Sequence, residues 1–69
     1  MKTVVLQISD NRFFQGVFTY ETEFGYDIYQ PEFCEGITDA KVLTVGSYAY
    51  QRALEYLEEF DYEFIQIEV

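Results

Sequence analysis

The chain has no histidine and no tryptophan, one cysteine, one proline and only four basic residues among its 69. Each shortage closes a route. Without histidine there is no ordinary base to activate a serine or cysteine nucleophile, and one cysteine without histidine makes no zinc set. Cys34 cannot close an internal disulfide and belongs to no C-x-x-C pair, so it reads as a small, half-buried apolar residue. Lys2, Arg12, Lys41 and Arg52 are too few and too scattered to grip phosphates, which excludes direct binding to nucleic acid. No apolar run approaches the roughly 18 residues of a membrane span, and Met1–Gln7 lacks the roughly 7–15 apolar residues of a secretion signal. With a free cysteine, these features lead us to expect a cytoplasmic protein with no membrane partner. Gly16, Gly25, Gly36 and Gly46 are spread too widely for a phosphate loop, and no EF-hand spacing occurs. No cofactor, metal or catalytic residue is therefore expected, and the chain reads as a non-enzyme.

What is present is acid and aromatic surface. Thirteen Asp and Glu against four Lys and Arg leave a formal net charge of −9. High charge alone would suggest disorder, but apolar residues make up 49% of the chain, with seven Phe and seven Tyr, enough to bury. The length allows one domain, residues 1–69, whose core can only be small.

Hydrophobic period orders the elements. Thr3–Ile8 alternates Val4, Leu6 and Ile8 against Thr3, Val5 and Gln7, the pattern of a half-buried strand, and Ser9-Asp10-Asn11 reads as a turn. Phe13–Tyr20 forms a second, antiparallel strand, with Gly16 marking a bulge or close backbone approach. Phe24, Tyr26 and Ile28 alternate with Gly25, Asp27 and Tyr29, which predicts a third strand that Pro31 ends. Pro31–Asp39 reads as a loop with room for a short helical turn. Lys41–Val45 fits a short strand, with a helix starting at Thr38 as the alternative, and Gly46 breaks either. Ser47 is a suitable N-cap for a helix over Tyr48–Phe60, whose Ala49, Tyr50, Ala53, Leu54, Leu57 and Phe60 share one face. Gln51, Arg52, Glu55, Glu58 and Glu59 take the other face. Phe64–Val69 alternates again as a terminal strand. The fold class that follows is α+β: a small antiparallel or mixed sheet of four to five strands, with one main helix across one face and the other face left to solvent or a partner.

The carboxylates fall into three groups. Glu55, Glu58, Glu59, Asp61 and Glu63 lie on the helix and its exit with no base after Arg52. Glu21, Glu23 and Asp27 occupy alternate positions through the middle strands, where residues two apart on one face are separated by about 6.6–6.8 Å, close to the spacing of phosphates on a nucleic-acid strand. Glu32, Glu35 and Asp39 sit in the long loop. Solubility alone would ask for both signs interspersed. Tyrosine is also in excess for so small a core. Tyr20 and Tyr50 are expected to cap the core edge, whereas Tyr26, Tyr29, Tyr56 and Tyr62 are candidate interface anchors, since tyrosine offers contact area with little rotamer entropy to lose.

The reading is an interaction module with Glu21, Glu23, Asp27, Glu55, Glu58, Glu59, Asp61, Glu63 and those four tyrosines as partner-binding residues. In this acidic profile the chain resembles small phage-encoded inhibitors of bacterial defence, including anti-CRISPR proteins and nucleic-acid mimics, which share no common motif. The resemblance implies a protein partner with a basic surface: a CRISPR effector complex or another nucleic-acid-handling protein of the host. The alternative is a small acidic subunit that joins an assembly or a homodimer through a strand edge or sheet face.

Overall fold

Alternation places Val4, Leu6 and Ile8 of β1 (Thr3–Ser9) on one side, and that strand becomes the hub of an entirely antiparallel five-stranded sheet. The computed structural model describes all 69 residues, Met1–Val69. β2 (Arg12–Glu21) and β3 (Asp27–Glu35) form a long hairpin, β4 (Leu43–Thr44) and β5 (Ile65–Glu68) are short, and one helix, α1 (Tyr48–Glu59), crosses the sheet. The fold class is therefore α+β, as the periodicity implies.

Register explains how five strands fit round one hub. Val4 faces Leu43 of β4 and Glu68 of β5, while Gln7 faces Phe13 of β2 and Ile65 of β5. β5 thus holds one edge of β1, and β2 and β4 share the other. β2 can yield that edge because it bends at a register shift between Phe14 and Gly16, where a bulge adds a residue and turns the strand. The freed Phe14 carbonyl then accepts the Lys41 amide at 2.9 Å. Beyond the bulge β2 and β3 continue as a two-stranded ribbon with α1 against one of its sides, and the molecule extends 40 × 25 × 20 Å.

The core lies between sheet and helix: Val4, Leu6, Phe14, Leu43, Ala53 and Leu57 are buried together, with Ile8, Phe33, Tyr50, Leu54 and Phe64 packed around them. On the opposite face, Val5 and Phe13 are only 1% and 6% exposed at the root of the ribbon, and a 3₁₀ turn at Ile37–Asp39 packs on β2. Ser47 caps α1 as expected, its hydroxyl accepting the Tyr50 amide at 3.2 Å. The helix closes in a Schellman motif, with the Tyr62 amide on the Leu57 carbonyl, the Asp61 amide on that of Glu58, and Asp61 at φ +59°. Eight residues are buried in all, so few side chains hold the fold, and each of them but Ala53 contributes about 1.5–3 kcal/mol by burial.

Three elements differ from expectation. The third strand is Asp27–Glu35 and not Phe24–Tyr29: Phe24 and Tyr26 lie in the hairpin turn, closed by the Thr22 amide on the Tyr26 carbonyl, with Gly25 at φ +81°. Pro31 does not end the strand, because β3 pairs on one side only and an edge strand tolerates a residue without an amide proton. Consequently Glu32 and Glu35 are strand residues opposite Gly16 and Arg12, and only Asp39 of that group lies in the connecting segment. Lys41–Val45 contracts to the strand pair Leu43–Thr44, and no helix starts at Thr38.

Candidate interaction surface

The ribbon brings two of the acidic groups into the same neighbourhood. Glu21, the last residue of β2, faces Asp27, the first of β3, so the stripe read along a strand is instead a cross-strand pair with Glu23 in the turn above it. The phosphate-like spacing along one strand does not exist there. Like charges placed directly opposite are destabilising, and nothing in the ribbon neutralises them. Asp27 also lines a shallow groove between β3 and the end of α1, together with Ile28, Tyr29, Tyr56, Glu59 and Phe60. Strand acids and helix acids, separate in sequence, thus meet across two tyrosines.

Those tyrosines are held by each other. Tyr29 and Tyr56 stack with ring centroids 6.1 Å apart and planes at 24°, and Tyr62 meets Phe33 edge-on at 4.9 Å. Tyr29, Tyr56 and Tyr62 therefore tie α1 to β3 and offer only their outer surfaces, whereas Tyr26 is 70% exposed in the hairpin turn. Tyr50 caps the core edge as expected, donating its hydroxyl to Gln66 at 2.8 Å. Tyr20 does not: it lies on the helix-free face beside Phe18, centroids 5.8 Å apart.

On α1 the charges run against the helix. There is no acid in its first turn and no base in its last. Glu58 and Glu59 sit at the C-terminal end and Asp61 just beyond, where the macrodipole is negative, and each acid there costs about 0.3–1 kcal/mol. Glu55 differs, since Arg52 grips it at 2.8 Å in the one ion pair of the protein. Arg52 is not a free surface cation either. It donates to the Tyr56 hydroxyl at 2.8 Å and lies 4.8 Å from that ring's centre, contacts that raise its pKa above the ordinary arginine value, with the Tyr56 hydrogen bond as the main cause and Glu55 a smaller one. Arg12 lies over the Phe33 ring at 5.1 Å. Every other carboxylate is without a cationic partner. Glu63 stands apart, lining a hollow with Asp10 at the β1–β2 end of the sheet.

No cluster of three or more Cys, Asp or Glu side chains converges to hold a metal ion, and no helix is long and apolar enough to cross a membrane. Reading acids and tyrosines overlooked Phe18 and Phe24, both solvent-exposed on the ribbon and its tip, Phe24 to 84%. The signal was available, because Phe18 and Tyr20 alternate on one face and Phe24 precedes a turn glycine. Compared with known family models, curated proteins and solved structures, the chain matches none.

Proposed function

We propose that this protein docks its acidic surface on a basic groove of a partner protein, one built to hold nucleic acid, and acts by occupying it, in the manner of the nucleic-acid-mimicking defence inhibitors it resembles. The observation that carries this reading is the placement of Glu58, Glu59 and Asp61 at the negative end of α1 with no base nearby. A surface shaped for stability would put lysine or arginine there. Asp27 and Glu59 flank the Tyr29–Tyr56 stack, so charge and aromatic area are offered together. Carboxylates would take the place of phosphates on the partner's Lys and Arg, long-range attraction would speed association, and tyrosine contacts would slow release.

The test is capture of the partner from a bacterial lysate at low and high salt, followed by competition with single- and double-stranded oligonucleotides. The expected partner is released by salt and displaced by an oligonucleotide, and the variant Glu58→Lys/Glu59→Lys fails to hold it. A partner retained in high salt and indifferent to oligonucleotides would overturn the reading. It would favour the second reading, assembly by strand addition, which the free outer edge of β5 supports: Ile65 and Val69 are exposed beside it.

A further inference from the structure

Beyond the bulge at Phe14–Gly16, α1 covers only one side of the ribbon. Thr19 and Tyr29 are paired and point toward the helix, because Tyr29 stacks on Tyr56. Phe18 and Tyr20, opposite Gln30 and Ile28, therefore lie on the far side, which no element beyond the root of the ribbon covers. Phe24 and Tyr26 add two more rings in the turn at the tip, 84% and 70% exposed. Leaving these rings in water is unfavourable for so small a protein, and exposed apolar surface edged by polar groups marks a contact site. Its edging is acidic: Glu32 lies farther down this face and Glu23 stands in the turn, while the Glu21–Asp27 pair at the tip turns to the helix side, and none of the four is paired with a cation.

From this juxtaposition we infer that the β2–β3 ribbon is the element that enters the partner, with the acidic end of α1 meeting its rim, and that the surface receiving it is a protein cleft with an apolar floor between rims of Lys and Arg. The inference rests on the proposed basic-groove function and adds to it the docking element and the composition of the groove. Charge selects among the occupants. An anionic membrane or nucleic acid is repelled by a chain of net charge −9, and a second copy would bring an equal net charge of −9 against this one, with Glu32 on the docked face of each. A basic-rimmed apolar cleft satisfies both rings and acids, and it is the composition that single strands require, bases stacked on a floor and phosphates on the rims.

Two soluble peptides of equal charge test this, one alternating Arg with Trp and one alternating Arg with Ser. The full chain should bind the Arg–Trp peptide about tenfold or more tightly than the Arg–Ser peptide, the worth of burying one or two rings. The variant Phe18→Thr/Phe24→Ser should lose that preference while keeping the weaker, salt-sensitive affinity for Arg–Ser. Both substituted positions are exposed, and an unchanged thermal melt confirms the fold. Amide shifts on Arg–Trp binding should centre on Phe18–Ile28. Equal binding of the two peptides, a preference that survives in the variant, or shifts confined to α1 would overturn the ribbon assignment and leave the basic-groove reading standing. Failure to bind either peptide at low salt would remove that reading itself. A salt-stabilised dimer of the full chain that Phe18→Thr abolishes would assign the face to a second copy and overturn the inference.

Discussion

Asp61 concentrates two costs in one side chain. It occupies the left-handed position that ends α1, φ +59°, where glycine is the usual solution and aspartate is only tolerated. It also adds a negative charge at the negative end of the helix. Asp61→Gly should therefore raise stability by about 1 kcal/mol, read as a higher midpoint in urea with an unchanged slope, and at the same time weaken partner binding. A lower midpoint would mean that the Asp61 side chain makes a stabilising interaction the geometry does not contain. Leu57 is the opposite kind of residue, fully buried beneath the same helix end, with its carbonyl receiving the Tyr62 amide. Leu57→Ala should cost about 2–5 kcal/mol. With eight buried residues, that loss should leave the chain largely unfolded at room temperature by circular dichroism.

At the level of elements, hydrophobic period located what depends on local pattern and missed what depends on neighbours. The Ser47-capped helix is legible because it buries one stripe, at Ala53 and Leu57, and leaves Gln51, Glu55 and Glu58 wet. β1, β2 and β5 are legible from their β-branched and aromatic residue types, although Val4–Leu6 and Phe13–Phe14 are buried on both faces and no residue of β5 is buried. β3 is not. It is an edge strand with one pairing partner, so Pro31 carries no penalty there, and the alternation of Phe24, Tyr26 and Ile28 does not show that the first two lie in the turn. The hairpin slid by that misreading carries Glu21 and Asp27 from alternate positions on a strand to directly paired positions on two strands of a ribbon. The acidic groups were legible in composition, but their union with Tyr29 and Tyr56 across β3 and α1 required the fold. α1 itself offers a sharp test of its reversed charge. Glu58→Lys/Glu59→Lys should stabilise the protein by about 0.3–1 kcal/mol per residue while abolishing partner capture. Loss of stability together with loss of binding would point to a structural role for the two carboxylates.

For the molecule as a whole, the decisive quantity is the imbalance between repulsion and its relief. Thirteen carboxylates share one ion pair, and three of the four cations stand without an acid, Arg12 over an aromatic ring. In a protein of both signs, added salt weakens as many attractions as repulsions. Here it has one exposed pair to weaken, worth about 0–1 kcal/mol, against a net charge of −9. Raising ionic strength from about 0.01 M to about 0.15 M shortens the screening length from about 30 Å to about 8 Å, less than the shortest dimension of the molecule, 20 Å. Repulsion between the ribbon tip and more distant acids is thereby removed, while that within the Asp27–Glu59 groove persists in part. The melting temperature should consequently rise with salt over this range. The double variant at Glu58 and Glu59 supplies the control: each exchange replaces a negative charge with a positive one, so it carries −5 where the natural chain carries −9, and its melting temperature should rise less over the same interval. If salt lowered the melting temperature of the natural chain, ion pairing would outweigh repulsion. The unpaired carboxylates would then carry no stability cost, and Glu58, Glu59 and Asp61 would no longer point to a basic partner.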